Sequence, residues 1–505
     1  MVELQTPVQA AQWLRQNVKG ELRTDSRRVQ PGDGFIAWPG AATDGRQYMA
    51  RAFEQGASVC LMQREGSEPW QSLEPADRVA ALPQLRQRTG LLAAAYYEQP
   101  TQHLRVLAVT GTNGKTSTAC WLAQALAHPA IGQRCGVVGT LGAGLWPDLL
   151  YTGMTTPDPV LLQRSFAQML QSGAQLCAIE ASSIGIAEHR LDGTRIRTAV
   201  FTNFTQDHLD YHGDMPAYWA AKRQLFDWEG LQSAVVNIDD PQGAQLAAEL
   251  AGSGLDLWTC SRRQEARLRA WPLPSRDGLS FELREGDALC RIDTFLTGDY
   301  NIDNLLGVIG ALRAQGLALQ QIAQACAQLQ AVPGRMQRVL APTAGTRALP
   351  LAVVDYAHTP DALTQALRAL QPLARERGGR LWCVFGCGGD RDPHKRPLMA
   401  AAAEGLADRL VLTSDNPRTE SLAAILAQMQ AGLHSPQKAM VLQDRAAAIA
   451  WAVGQADPAD VLLVAGKGHE STQDIAGVLH PFSDVLQLQM ALQARAQDRA
   501  KKEAA

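Results

Sequence analysis

Residues 106–117 read Val106-Leu107-Ala108-Val109-Thr110-Gly111-Thr112-Asn113-Gly114-Lys115-Thr116-Ser117. A short apolar run, Val106–Val109, passes into a glycine loop that closes on Gly114-Lys115-Thr116. This order suits a nucleoside triphosphate. Glycines let backbone N–H groups approach the phosphates, the lysine reaches the terminal oxygens, and the threonine hydroxyl can ligate Mg²⁺. Residues 118–127 have helical composition, so the positive end of a helix would face the phosphates. The general pattern G-x-x-x-x-G-K-[ST] is matched incompletely, because Val109 stands at the first glycine position. A plain strand–turn–helix corner with an exposed lysine would leave the order of glycines, lysine and threonine without a reason.

Working outward, the chain of 505 residues has room for about two to four domains. Its 47 basic and 50 acidic residues give a net charge of −3, which argues against a broad nucleic-acid or anionic-membrane surface. The nine cysteines are scattered and only Cys383 and Cys387 are close, so no zinc or disulfide framework follows and a reducing cytoplasm is expected. Met1–Gly20 lacks the basic and apolar regions of a signal peptide. No apolar run approaches the ~20 residues that span a bilayer. Ala494–Ala505 reads as a charged, Ala-rich helix end that frays.

Boundaries near 92 and 332 divide the chain into 1–92, 93–332 and 333–505. The first block is turn-rich, with a helix expected at Tyr48–Gln55. The second carries strands expected at 106–109, 176–179, 198–202 and 234–237. In the third, apolar strands recur at Leu351–Val354, Leu381–Phe385, Leu410–Leu412 and Val461–Val464, separated by helical stretches. Alternating strand and helix implies a parallel sheet with both faces covered. Each of these strands runs into a polar cluster: Asp355-Tyr356-Ala357-His358, Gly386–Arg391, Ser414-Asp415-Asn416-Pro417-Arg418 and Gly466-Lys467-Gly468-His469-Glu470. Ligands bind at the carboxyl ends of strands in open α/β sheets, so four clusters on one edge predict one binding face.

Other residues are ambiguous alone. Glu180 ends a strand, where phosphoryl-transfer sites place an acid for Mg²⁺ and where a surface glutamate is equally at home. The segment Asn203–Gly213 holds Asp207, His208, Asp210 and His212, which suit metal binding or helix caps and turns. Lys222 lies in an expected helix, and nothing physical singles it out.

The ordered motifs resemble those of the Mur ligases along essentially the whole chain. They are Thr24-Asp25-Ser26-Arg27 with Pro31-Gly32-Asp33 and Asp44-Gly45; Thr110–Thr116; Thr155-Thr156-Pro157; Glu180 with Ser182-Ser183; Asp207–Asp210; Lys222; Asn301–Asn304; Pro333-Gly334-Arg335; and the clusters at 355–358, 415–418 and 466–470. The resemblance implies an α/β protein of three domains: a small N-terminal UDP-binding domain, a central P-loop ATPase-like domain with a mostly parallel sheet, and a C-terminal Rossmann-like domain that binds an amino acid. It implies an ATP-dependent amide ligase of peptidoglycan precursor synthesis, adding meso-2,6-diaminopimelate to the D-Glu of UDP-N-acetylmuramoyl-L-Ala-D-Glu through an acyl phosphate.

The same resemblance assigns roles. Gly111, Thr112, Asn113, Gly114, Lys115, Thr116 and Ser117 would hold ATP, joined by Asn304, Arg335 and Asp355 from further along the chain. Thr24, Ser26, Thr155, Thr156, Ser182, Glu188 and Arg190 would bind the UDP-sugar-dipeptide. Thr116, Glu180, His208 and Lys222 would surround Mg²⁺, with Lys222 carrying a CO₂-derived carbamate. Lys115, Lys222, His208 and Glu180 are the catalytic candidates. Arg391, Asp415, Asn416, Pro417, Arg418, Gly466 and Glu470 would bind diaminopimelate. The extra carboxylate of that amino acid, relative to lysine, suits the two-pronged Arg418 guanidinium. A monomer acting on small molecules in the cytoplasm is implied, with no nucleic acid and no membrane insertion. Two positions depart from the family pattern: Ile184 where a histidine is common, and Glu188 where a glutamine is common.

Rival readings are a related ligase (lysine-adding, D-Ala-D-Ala-adding or folylpolyglutamate-forming), a P-loop ATPase or GTPase that switches conformation, and a non-catalytic binding protein. Block one argues against the folate enzyme and Asp415–Arg418 against the lysine form. The polar edge of the third block has no role in a switch ATPase.

Overall fold

The structure is a computed structural model that describes residues 1–40, 43–70, 75–275, 278–341 and 349–504. The chain divides into two compact units. The first comprises Met1–Phe204, Pro216–Leu268 and Gly307–Ala325; the second comprises Thr205–Met215, Arg269–Leu306 and Cys326–Ala505.

The first unit holds two sheets. A small parallel sheet runs Val2–Glu3, Val79–Leu82, Val59–Gln63, Gly34–Ala37, Leu22–Arg23 in spatial order. The expected helix at 48–55 is found as Met49–Glu54, entered through the 3₁₀ turn Gly45–Tyr48. In the larger sheet, six parallel strands lie in the order Asp256–Ser261, Ser233–Asn237, Ile196–Phe201, Arg105–Thr110, Leu176–Glu180, Cys135–Gly139. The antiparallel strands Gly142–Leu145 and Asp148–Leu150 extend one edge. All four strands expected from the sequence in this region are present, each longer by one or two residues.

Strand Arg105–Thr110 lies between neighbours that leave in opposite directions through the chain, which makes its carboxyl end a topological switch point. Its residues Val106–Val109 are fully buried, as a central parallel strand covered on both faces requires. Helix Lys115–Ala127 follows directly, three residues earlier than its composition suggested, because the glycine loop itself supplies the turn.

The second unit is organised on a sheet in the order Gln337–Val339, Leu351–Asp355, Val461–Ala465, Leu381–Phe385, Arg409–Leu412, Ala439–Val441. Only the first strand is antiparallel to its neighbour. The alternating pattern thus gives the parallel sheet it predicted. Ala465 pairs with both Asp355 and Phe385, so the polar clusters that follow these strands emerge at one edge. Helix Pro360–Glu376 is capped by the Thr359 hydroxyl and buries Leu363, Leu367 and Leu370 against the sheet. The C-terminal segment belongs to helix Asp484–Ala504; Ala505 lies outside the described residues. No helix among the described residues is long and apolar enough to cross a membrane. All nine cysteines are free thiols.

Candidate functional site

In the first unit the site grows from the glycine loop. Gly111 takes φ 145°, and a Cβ there would meet the Thr202 hydroxyl at 1.9 Å, so no other residue fits. Gly114, at φ 84°, is the N-cap of helix Lys115–Ala127, so the positive end of the helix faces the glycine loop. Asn203 fixes the loop by accepting from Asn113 N at 2.9 Å. Lys115 Nζ curls back to Gly111 O at 2.9 Å and Thr112 O at 2.8 Å. Ser117 is buried at the start of the helix.

Beside the loop, the pairing of Glu180 with Val109 brings a buried carboxylate to the same sheet edge. Glu180 Oε1 accepts from Thr140 N at 2.8 Å; Oε2 accepts from Thr116 Oγ1 at 2.9 Å and Thr140 Oγ1 at 3.2 Å. Thr155 Oγ1 lies 3.1 Å from Thr140 Oγ1. One carboxylate and three hydroxyls in contact form an all-oxygen donor set, the chemistry a hard cation such as Mg²⁺ requires.

Lys222, 1% exposed, donates to Gly111 O at 2.7 Å and sits 4.5 Å above the Tyr218 ring. A lysine that is an ordinary helical residue in the sequence is therefore a buried amine on the phosphate loop. His208 belongs to the other unit, in left-handed backbone conformation, with Nε2 3.4 Å from Asp207 Oδ2.

The next strand end continues the site. Thr156 Oγ1 bonds Glu180 O at 2.7 Å and Ser182 Oγ at 2.9 Å, and Ser182 caps the short helix Ser183–Ala187 through Gly185 N. Arg190 reaches Thr156 O at 2.9 Å and pairs with Glu188 at 2.7 Å; Arg86 lies 4.0 Å from the same carboxylate. The extra negative charge of Glu188 is thus neutralised by two arginines. Ile184 is half-buried in the short helix.

A cleft of about 280 Å³ opens nearby, lined by Arg23, Thr24, Arg27, Arg28, Asp158 and Arg164 among others. Thr24 bonds Asp158, whose carboxyl is pushed up by burial. Ser26 is buried at the head of the 3₁₀ turn Ser26–Arg28.

The second unit gathers the remaining candidates. Asp355 is buried and accepts from Met336 N at 2.7 Å and Ala357 N at 2.8 Å; burial pushes its carboxyl up, against the pull of Arg335. Arg335 lies over the Tyr356 ring at 4.3 Å, and His469 packs 5.4 Å from that ring. Asn304 donates to Asn301 at 2.9 Å.

Around the 415–418 loop, Asn416 Nδ2 donates to Glu470 Oε2 at 2.8 Å, and Asp415 is buried with Oδ1 accepting Asn416 N. Pro417 O lies where a Cβ on Gly389 would be, at 1.9 Å. Arg418 has φ 50° and is held on the backbone of 474–476: its N–H donates to Asp474 O at 3.0 Å, and its carbonyl accepts from Ala476 N at 2.8 Å. Its guanidinium donates to Gly389 O at 2.6 Å. A Cβ on Gly388 would lie 3.0 Å from Arg418 Nη1 and 3.9 Å from Cγ of the exposed Arg391. Gly466, at φ 115°, is packed so closely that a Cβ would meet Asp415 Oδ2 at 2.5 Å.

Sequence reasoning passed over Lys467. Fully buried, it donates to Asn416 Oδ1 at 2.9 Å and Glu470 Oε2 at 2.7 Å. Its only signal was its place in Gly466–Glu470. Tyr356 likewise has no signal in the sequence beyond its place in Asp355–His358.

Three domain families match the chain: the Mur ligase family catalytic domain at residues 21–97, the Mur ligase middle domain at 109–312, and the Mur ligase glutamate ligase domain at 334–468. A protein of Acidovorax sp. (strain JS42) named UDP-N-acetylmuramoyl-L-alanyl-D-glutamate–2,6-diaminopimelate ligase is 56% identical over 499 residues, covering 97% of this chain and 98% of the relative. A solved structure of a protein of that name is 35% identical with a TM-score of 0.62, covering 94% of this chain and 95% of the other. The MurF ligase of Thermotoga maritima, solved in complex with ADP, shares the fold at 16% identity with a TM-score of 0.65, over 95% and 98% of the two chains. Matching domains over most of its length, together with a relative of this identity and coverage, show that the chain belongs to the Mur ligase family.

Proposed function

We propose that this protein is the ATP-dependent ligase that joins meso-2,6-diaminopimelate to the D-Glu of UDP-N-acetylmuramoyl-L-Ala-D-Glu in peptidoglycan precursor synthesis. The observation that carries the reading is the 56% identity, across 97% of the chain, to a relative named for that reaction.

The residues supply a coherent chemistry. A carboxylate does not condense with an amine at neutral pH until its oxygen becomes a leaving group. Attack of the D-Glu γ-carboxylate on the terminal phosphorus of ATP releases ADP and leaves an acyl phosphate. Attack of the amine at the acyl carbon then forms the amide and expels phosphate. Gly111–Ser117 and Lys115 cradle and neutralise the phosphates. Thr116 and Glu180, with a carbamylated Lys222, would hold Mg²⁺, which when bound neutralises phosphate charge; the family resemblance gives His208 the same role. Carbamylation converts the buried Lys222 amine into an anion with oxygen donors. The family resemblance also gives Asn304, Arg335 and Asp355 to ATP. Thr24, Ser26 and the arginine-lined cleft serve the anionic UDP moiety, while Thr155, Thr156, Ser182, Glu188 and Arg190 serve the sugar-dipeptide. Arg391 and Arg418 suit the carboxylates of diaminopimelate, and Asn416 and Glu470 its distal ammonium, with Asp415, Pro417 and Gly466 shaping the loop. A monomer in the cytoplasm, where ATP is supplied, completes the reading.

The test is phosphate release from ATP with UDP-N-acetylmuramoyl-L-Ala-D-Glu and a panel of amino acids. Release driven by meso-diaminopimelate, with lysine near background, supports the reading. Release driven by lysine keeps the ligase and refutes the acceptor. Release that needs no amino acid points to a simple ATPase.

A further inference from the structure

Lys467 is a cation with no exposed surface, in a place where a lysine would ordinarily be costly. Two hydrogen bonds offset the cost: its ammonium donates to Asn416 Oδ1 at 2.9 Å and to Glu470 Oε2 at 2.7 Å. Asp474 N also donates to Asn416 Oδ1, at 3.0 Å. Two pure donors on one side fix the amide orientation, so Asn416 Nδ2 must face the other way, where it donates to Glu470 Oε2 at 2.8 Å. Glu470 therefore receives two charge-strengthened bonds on the same oxygen, Oε2, while its side chain stays partly exposed.

We propose that Lys467 is a positioning residue for acceptor recognition: it locks the Asn416 amide and the Glu470 carboxylate in the orientation that receives the ammonium of an incoming diamino acid. The proposal rests on the function proposed above and adds a residue to it. Lys467 touches no substrate; it acts through Asn416 and Glu470.

The experiment compares wild type with K467M and K467Q, measuring KM for meso-diaminopimelate, ATP and UDP-N-acetylmuramoyl-L-Ala-D-Glu, with thermal unfolding alongside. Loss of charged hydrogen bonds of this kind predicts a rise of about 10- to 100-fold in KM for diaminopimelate alone, smaller in K467Q, which keeps an N–H donor. The same change made in an E470Q background should add little, because Lys467 works through that carboxylate. Either folded variant suffices. An unchanged KM for diaminopimelate, an equal rise for all three substrates, or full additivity with E470Q overturns the proposal. Wild-type enzyme that does not use diaminopimelate would instead refute the function on which it rests.

Discussion

Gly139 lies so close to Glu180 that a Cβ on the glycine would meet Oε1 at 2.2 Å and the carboxyl carbon at 2.8 Å. The glycine ends strand Cys135–Gly139, directly before Thr140, whose N–H and hydroxyl hold the same carboxylate. The absence of a side chain at 139 is what lets Glu180 lie against the loop.

Gly139→Ala should therefore displace Glu180 from Thr116 and Thr140. Overpacking of this kind costs about 1–3 kcal/mol, so the protein should fold while kcat falls at least about tenfold. Wild-type kcat with an unchanged Mg²⁺ requirement would show that Glu180 tolerates the shift.

Lys222→Ala should reduce turnover by about 100-fold or more, because it removes the buried amine that donates to Gly111 O. If the amine works as a carbamate, formate or acetate should restore part of the rate. Rescue by methylamine in their place would assign it the role of a cation.

Arg418→Lys keeps a positive charge and loses the planar fork. Activity with diaminopimelate should fall by about 100-fold in kcat/KM, with no gain for lysine. Unchanged kinetics would remove Arg418 from acceptor binding and assign its guanidinium to holding Gly389 O.

Acid should destabilise the second unit through His469. Burial, with Arg335 and Lys467 adding repulsion, pushes its imidazole down from 6.5 to about 4. The folded protein keeps the ring neutral where the unfolded chain protonates it. This contribution is fully present above pH 6.5, is lost as pH falls toward 4, and amounts to at most about 3 kcal/mol. His358, also lowered chiefly by burial, acts in the same direction. Urea denaturation between pH 4 and 7 should show a shallower pH dependence for His469→Gln than for wild type. Superimposable slopes would mean that His469 titrates normally.

The sequence by itself determined the local pieces: the strand, glycine loop and helix at 106–127, and the alternation that places four polar clusters at strand ends in 351–470. These are short-range properties, since burial on both faces demands continuous apolar runs and tight phosphate loops demand glycine. Glu180, Lys222 and Lys467 were different, because their identities say nothing about their neighbours. Strand register set Glu180 beside Val109. Helix Met215–Arg223 carried Lys222 to Gly111 O, and the sheet edge brought Lys467 between Asn416 and Glu470. Such contacts join residues far apart in the chain, and only the packing of side chains across paired strands and covering helices fixes which of them meet.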